Sequence, residues 1–506
     1  MDLAITLDQR SLAPLNRQLY EELRKAILFG RLKPGERVPS TRALAKSLGV
    51  SRTTVTQSYE QLLSEGYLRA ATGSGTFVGC QLPDELLKTT PIEPPRPAAQ
   101  TRRAGSTSSF KLSSYGESLT DTVPFEPPEL DMPIHFKSGR PALEEFPLQQ
   151  WRRLMLRHCR TNDPSLLDYA ADSQGHEPLR EAIANYLRRA RAVRCDAGQV
   201  IIVNGSQQAL DLITKVLIDR GDQVALENPG YLGARRAFLA QGARLLPAPV
   251  DELGIVVEKL PVKSPVKSPT KSPTKSQDEV KLVYVTPSHQ FPTGATLTLP
   301  RRLDLLAWAE KNGAMIIEDD YDSEFRYGSR PIPALQGLAA NDSVIYVGTF
   351  SKVLFPALRV GYVVAPAPLA RVFARAKWLA DRQTPMIEQR VLTDFINEGH
   401  LERHLRRMRA LYEKRRQALV RALETHFGNR VTILGENAGM HLMIKLRSRL
   451  GDEEVVERAR GCGVGIVGAR LYYLGGASRG EFVLGYSALS ERRIQEGIRR
   501  LAGILN

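Results

Sequence analysis

Residues 343–362 read SVIYVGTFSKVLFPALRVGY. The run from Val344 to Val347 is short, apolar and β-branched, the composition of a strand buried on both faces. It leads straight into Thr349, Ser351 and Lys352, and Arg359 follows in the same stretch. Two other apolar runs end similarly. MIIEDDYDSEFRY (315–327) places Asp319 at the end of a strand with Tyr321 just beyond it, and VIIVNGSQQAL (200–210) passes through Gly205, Ser206 and Gln207 into a helix. Backbone N–H groups at such a helix start form a ready anion site. Singly, each residue has an ordinary explanation: Lys352 and Arg359 as surface cations, Asp319 as a loop carboxylate, Gly205 as a turn. Their arrangement at successive strand ends is harder to dismiss, because open α/β sheets collect ligands at the carboxyl ends of their strands.

The set also matches one ligand's needs. Pyridoxal 5'-phosphate (PLP) requires an amine for a Schiff base, hydroxyls and a cation for its phosphate, and a carboxylate to keep its pyridine nitrogen protonated. Around this stretch, from about Ile134 to the C-terminus, short β-branched runs alternate with amphipathic helical stretches, the pattern of an α/β domain with a mainly parallel sheet. Residues 263–276, KSPVKSPTKSPTKS, interrupt it with a Lys-Ser-Pro repeat that cannot pack and reads as a basic, solvated insertion. HLERHLRRMRALYEKRRQALVRAL (400–423) reads as a long basic helix with Leu405, Met408, Tyr412 and Leu419 facing inward. Upstream, residues 81–133 are dense in Pro, Ser, Thr and Glu without sustained periodicity, so an extended, flexible linker is expected.

Residues 1–80 form a separate domain. Leu15, Leu19, Leu23 and Ile27 recur at helical spacing, and PSTRALAKSLGV offers Ser40 as the cap of a second helix that Gly49 ends. Ser51 then caps SRTTVTQSYEQLLSEG, whose Val55, Tyr59, Leu62 and Leu63 face inward, with Arg52, Thr53, Thr56 and Gln57 on the opposite face. A helix, a short turn and a helix with a polar N-terminal end is the helix-turn-helix arrangement. YLRA, the turn TGSG and TFVG complete it as a two-stranded wing. A small helical bundle for protein contacts is the plainer alternative.

LKPGERVPSTRALAKSLGVSRTTVTQSYEQLLSEGYL followed by GSGTFV resembles the GntR winged-helix family, and the domain from Ile134 onward resembles fold-type I aminotransferases, as combined in the MocR regulators. The resemblance implies that Arg42, Ser51, Arg52, Thr53, Thr54, Thr56, Gln57 and Gly75 bind DNA, with Arg52 the first candidate for base contact. It also implies Lys352 as the Schiff-base lysine, Asp319 as the pyridinium partner and Tyr321 as the partner of the phenolic oxygen. Ser206, Gln207, Thr349, Ser351 and Arg359 would hold the phosphate, Tyr231 would stack on the ring, and Tyr169 would reach the neighbouring subunit's cofactor. Two positions depart from the aminotransferase pattern. In TPSHQFPTG, Phe291 stands where many of these enzymes place an asparagine, with His289 as a substitute, and the late strand EFVLGYSALSE lacks the usual arginine, leaving Arg470 as the effector-binding candidate.

The implied function is a transcriptional regulator that binds double-stranded operator DNA and senses PLP or an amino compound through a Lys352 aldimine, as a head-to-tail homodimer. The alternative is an active aminotransferase carrying a DNA-binding domain; sustained turnover is not expected, and residual aminotransferase-type activity is compatible with the reading. Gly233, two residues after Tyr231, offers no cation for a distal acid group. The formal charge of +15 does not carry the DNA reading, since residues 1–80 hold eleven Lys and Arg against seven Asp and Glu. Cys80, Cys159, Cys195 and Cys462 form no Cys-x-x-Cys pair, so neither a disulfide framework nor a metal site is expected. No run approaches the roughly 20 apolar residues of a membrane span, and the N-terminus lacks a secretory pattern, so a cytoplasmic protein is expected.

Overall fold

The computed structural model describes residues 5, 7–8, 13–71, 74–79, 111–120, 132–161, 163–169, 172–262, 279–327, 332–476 and 479–505. The chain divides into two compact units, Met1–Ser109 and Phe110–Asn506. The Lys-Ser-Pro repeat at 263–276 and most of the expected linker lie outside the described residues.

In the first unit, α1 (Leu15–Leu28), α2 (Thr41–Leu48) and α3 (Arg52–Ser64) precede an antiparallel pair, β1 (Leu68–Ala71) and β2 (Gly75–Val78). The helix ends are set locally. Ser40 Oγ accepts from the Ala43 amide at 3.2 Å, Gly49 closes α2 at φ 64°, and Ser51 Oγ accepts from the Thr54 amide at 3.0 Å. Leu19, Leu23, Ile27, Leu44, Val55, Tyr59, Leu62 and Val78 form its core. Leu48 and Leu63 are only partly buried and pack at the edge of that core.

In the second unit, part of the stretch expected to be extended forms a single helical turn, α4 (Ser114–Ser118), because Ser113 Oγ caps the Gly116 amide at 3.1 Å. Strand β3 (Ile134–His135) follows. Strands β4 (Val200–Val203), β5 (Gln223–Asn228), β6 (Arg244–Asp251), β7 (Gly254–Ile255), β8 (Val280–Val285), β9 (Met315–Asp320), β10 (Val344–Thr349) and β11 (Gly361–Val364) build one sheet in the order β4-β11-β10-β9-β8-β5-β6-β7. The central run β10-β9-β8-β5-β6 is parallel and β11 is antiparallel to both of its neighbours. The carboxyl ends of β5, β8, β9 and β10 therefore open on one edge. Every residue of β4, β10 and β11 is buried, as expected of strands covered on both faces.

A smaller antiparallel sheet comprises β12 (Val431–Leu434), β13 (His441–Leu446), β15 (Val467–Gly468) and β16 (Glu481–Gly485), and β14 (Val464–Gly465) pairs in parallel with β3. The basic helix spans His400–Phe427 and buries Leu405, Met408, Tyr412 and Leu419. Among the described residues, no helix is long and apolar enough to cross a membrane.

Candidate functional site

Asp319 is the fifth residue of β9, beside Val347 of β10 in the sheet register. Its carboxylate is buried. Oδ2 accepts the hydroxyl hydrogen of Tyr284, at 2.7 Å from the neighbouring strand β8, while Oδ1 is buried with no partner. Burial holds this carboxyl up to about 7, opposed by the Tyr284 bond and by the positive charge of Lys352. Lys352 lies against the Gly139 backbone so closely that a Cβ there would stand 2.9 Å from Nζ. No side chain could therefore occupy position 139 without displacing the amine.

Of the candidates for an anion site, Ser206 and Gln207 open the helix Ser206–Leu217, with Gly205 as its N-cap. Gly205 adopts φ 91°, a conformation that favours glycine, and a Cβ on it would lie 2.8 Å from an Arg359 guanidinium nitrogen, so a side chain there would displace that guanidinium. Arg359 donates to the Asn204 carbonyl at 2.6 Å. Thr349 and Ser351 are buried; the Thr349 hydroxyl accepts from the Ser351 amide at 3.1 Å, whereas Ser351 Oγ has no partner. Gln207 is exposed and donates to the Gly233 carbonyl at 3.2 Å. The buried oxygens Ser351 Oγ and Asp319 Oδ1 have no hydrogen-bond partner, Arg359 approaches the helix start at Gly205, and Lys352 acts electrostatically on Asp319; together these fit a ligand with an anionic end and a protonated ring nitrogen.

Tyr231 is half-buried, with Phe291 edge-on to its ring at 6.0 Å between centroids. Phe291 also meets Tyr321, His441 and Tyr472, so its position is apolar and aromatic. A Cβ at Gly233 would stand 2.5 Å from Gln207 Oε1 and 2.6 Å from the Tyr231 ring, leaving no room for a side chain. The Tyr321 hydroxyl is 3.0 Å from His289 Nδ1 and donates to the His289 carbonyl at 2.9 Å.

Four residues that pattern reading did not single out belong here, and Tyr284 and Gly139 are two of them. The others are Asp322, whose Oδ2 lies 3.0 Å from His289 Nδ1, and His441, which packs its ring 4.8 Å from that of His289. His289, Asp322 and His441 are all buried, with potential ligand atoms within 4.8 Å of one another. Burial drives His441 well below its ordinary value, helped by His289 and Lys352.

Two sequence-based candidates, Arg470 and Tyr169, are exposed. Arg470 is exposed on the 3-10 turn Ala469–Tyr472 and lines a cleft of about 630 Å³ with Asp452, Glu453, Tyr473 and Arg479. Neither Lys352 nor Asp319 lines that cleft. Tyr169 is exposed, with the Arg382 guanidinium 4.3 Å above its ring.

In the first unit, Arg42, Arg52, Thr53 and Gln57 are exposed along α2 and α3, and Gln57 Oε1 accepts from Asn16 at 3.1 Å. The other polar candidates are engaged locally: Ser51 Oγ and Thr54 Oγ1 share a hydrogen bond of 2.8 Å, and Thr56 Oγ1 donates to the Arg52 carbonyl at 2.9 Å. Gly75 opens β2 at φ 113°, where a Cβ would meet the Arg37 side chain at 2.7 Å.

Residues 132–498 match the family described as aminotransferase class I and II, and residues 15–78 match bacterial regulatory proteins of the gntR family. The chain is 39% identical to the probable rhizopine catabolism regulatory protein MocR of Rhizobium meliloti, over 98% of this chain and 95% of that one. It is 34% identical to the HTH-type transcriptional regulator TauR of Rhodobacter capsulatus, over 99% and 100% of the two chains. Among solved structures, LysN, the α-aminoadipate aminotransferase of Thermus thermophilus complexed with N-(5'-phosphopyridoxyl)-L-leucine, superposes with a TM-score of 0.66 and 32% identity over 78% of this chain and 95% of that one. The chain belongs to the MocR family, in which a gntR-type winged helix is joined to an aminotransferase class I and II domain.

Proposed function

We propose that this protein is a transcriptional regulator that binds operator DNA through α2, α3 and the wing, and responds to PLP or to an amino compound captured by PLP. The observation that carries the PLP reading is the pair of buried orphan oxygens, Asp319 Oδ1 and Ser351 Oγ, the first on a carboxylate that feels the charge of Lys352 and the second on the residue before that lysine. When bound, PLP supplies an electrophilic carbonyl carbon that reacts reversibly with amines. Lys352 provides the amine that anchors it, and Asp319 holds the ring-nitrogen proton. Ser206, Gln207, Thr349, Ser351 and Arg359 hold the phosphate at the helix start, Tyr231 covers the ring, and Tyr321 donates to the phenolic oxygen.

An effector acts only through unequal affinity for two conformations. With PLP held by Lys352, an amine that took the lysine's place would free this side chain, and Arg470, lining a solvent-facing cleft, would be the group drawn toward the effector; the two would supply that inequality. Gly233 supplies no cation beside Tyr231, which favours effectors without a distal acid group. A homodimer is supported by an exposed group comprising Leu167, Tyr169, Trp378 and Leu379, with Arg382 over both aromatic rings. Leu167 is 92% exposed and Leu379 79%, so both apolar side chains are available to a second surface.

Purified protein titrated with a panel of amines, read by cofactor absorbance and by DNA binding, tests this reading. Saturable, effector-dependent DNA binding without turnover is expected, and Lys352→Ala should abolish the response. Sustained transamination with an amino donor and an oxo-acid acceptor would instead identify an enzyme. An unchanged effector response in Lys352→Ala would also overturn the proposal.

A further inference from the structure

Tyr321, His289 and Asp322 form a chain of polar contacts in which His289 and Asp322 are buried and Tyr321 is half-buried. His289 Nδ1 lies 3.0 Å from Asp322 Oδ2 and 3.0 Å from the Tyr321 hydroxyl oxygen, and the ring's other nitrogen, Nε2, is buried without a partner. These contacts select the tautomer. A bare Nδ1 would face a carboxylate oxygen lone pair to lone pair, whereas Nδ1–H gains a charge-assisted bond to Asp322. The Tyr321 hydroxyl cannot donate to Nδ1–H; its hydrogen goes to the His289 carbonyl at 2.9 Å, and its oxygen shares the single Nδ1–H with Asp322 Oδ2.

The imidazole is locked in place. A Cβ at Gly439 would stand 1.9 Å from His289 Cε1, and one at Gly294 3.1 Å from Nε2, so two glycine backbones press on the ring. His441 closes the remaining side and is fixed by its own Nε2 contact, 3.1 Å from the Pro292 carbonyl. These hydrogen bonds account for the clustering of His289, Asp322 and His441 without a metal ion. Phe291, edge-on to Tyr321 at 6.3 Å, offers no hydrogen-bonding group.

We propose that His289 is a positioning residue: its Nδ1–H, aligned by the Asp322 carboxylate, fixes the Tyr321 oxygen so that the Tyr321 hydrogen is delivered to the phenolic oxygen of PLP. This rests on the reading that PLP occupies the site. That phenolic oxygen, being anionic, is a stronger acceptor than the His289 carbonyl and takes the hydroxyl hydrogen from it. A donor into the Tyr321 oxygen polarises the hydroxyl and strengthens its donation onward. His289 thus does through tyrosine what an amide at position 291 would do directly.

The consequence can be read in the bound cofactor's spectrum. The proton shared between the phenolic oxygen and the Lys352 nitrogen is the one whose loss to water changes the absorbance. A strong donor on the oxygen stabilises its negative charge and weakens its hold on that proton, lowering the pH midpoint. Charged or titratable groups facing Tyr321 and His289 are Asp319, Asp320, Asp322 and Glu227, with His441 packed on His289 and Lys352 on the cofactor side. All remain in the variants below, so their contribution is common to each comparison.

The test is a double-mutant cycle on the PLP-bound protein, with spectral pH titrations of wild type, His289→Leu, Tyr321→Phe and the double variant. The midpoint should rise by about one pH unit in Tyr321→Phe, the shift that one hydrogen bond to a charged group supplies. It should rise by roughly half as much in His289→Leu and no further in the double variant than in Tyr321→Phe. His289→Asn, whose side-chain amide can occupy the Nδ1–H position, should restore the wild-type midpoint. If His289→Leu does not retain cofactor, Asp322→Asn replaces it in the cycle, with a smaller shift of the same sign. Additive effects of the two substitutions, or equal midpoints for leucine and asparagine at 289, would overturn the proposal. A wild-type protein that gives no cofactor spectrum with added PLP would refute the PLP reading itself.

Discussion

Tyr284 donates its hydroxyl hydrogen to Oδ2 of Asp319 at 2.7 Å, across adjacent parallel strands, while Oδ1 of the same carboxylate is buried without a partner. One oxygen is thus tied to the sheet and the other is available to a ligand. Removing the tie with Tyr284→Phe takes away a bond that favours the charged form, so the Asp319 pKa rises beyond its present value of about 7 and less carboxylate is ready at neutral pH. PLP retention at pH 7.5 should weaken about tenfold in Tyr284→Phe, and up to about 100-fold in Asp319→Asn, which cannot ionise. Equilibrium dialysis against PLP measures both; equal affinity in Asp319→Asn and wild type would exclude a pyridinium role for this residue.

The ligand-free protein should become more stable on mild acidification. Burial is the leading reason that Asp319, Glu227 and Glu324 are each held up to about 7, against about 4 for unfolded carboxyls. Between those values the folded chain binds more protons than the unfolded one, so the stability cost of ionising these groups appears as pH rises through 7 and is relieved as it falls. Tm by calorimetry should therefore rise from pH 8 to pH 6.5. Below that, His404, pushed down to about 4 chiefly by burial, acts in the opposite direction, because the unfolded state now gains the proton. A Tm that falls steadily from pH 8 to 6.5 would contradict the assignment.

Ser351→Ala separates ligand affinity from folding. Its hydroxyl is buried with no partner, so alanine removes an unsatisfied group and leaves Tm of the ligand-free protein unchanged or slightly raised. The same change deletes a donor to the PLP phosphate and should weaken PLP about tenfold. Calorimetry with and without PLP distinguishes this from a structural role, which would lower Tm in both states.

Ser51 and Arg52 should behave differently although they are adjacent. Ser51 Oγ caps α3, so Ser51→Ala should cost about 1 kcal/mol of local stability, visible as faster amide exchange at the start of that helix. Arg52 is exposed and makes no cap. Arg52→Ala should leave exchange unchanged and weaken operator binding about 10- to 100-fold, with relaxed preference at one base pair. Binding selections from genomic fragments, compared between wild type and variant, report that preference; identical selected sequences would move base reading to Arg42 or Thr53.

What sequence could reveal here followed from how local its cause is. Ser40, Gly49 and Ser51 act on amides a few positions away, so the first unit was readable almost residue by residue. Lys352, Asp319 and Gly205 were readable because polar residues at the ends of apolar strands stand out. Tyr284 did not, since within VKLVYV a tyrosine counts as one more β-forming residue and its hydroxyl partner is 35 positions away. His441, inside the strand following GM, likewise reads as core, and only the fold brings it against His289. For Thr54 and Thr56, the type of residue was informative but not the use of its hydroxyl, which local backbone and cap bonds had already claimed. The one-turn helix at Ser114 was missed because a lone Ser113 cap lacks any surrounding period.

The pairing of β3 with β14 has a mechanical meaning. Ile134 and His135 are hydrogen-bonded to Val464 and Gly465, the Phe136 amide continues the ladder to the Gly465 carbonyl, and the Phe136 carbonyl accepts from Gly485. The leading segment of this domain is therefore stitched to strands near its far end rather than to the large sheet that carries Lys352. A tether moves with the body to which it is fastened. Any rotation of the small C-terminal sheet about the large one hauls residue 134, and with it the trailing end of the linker, along the same arc.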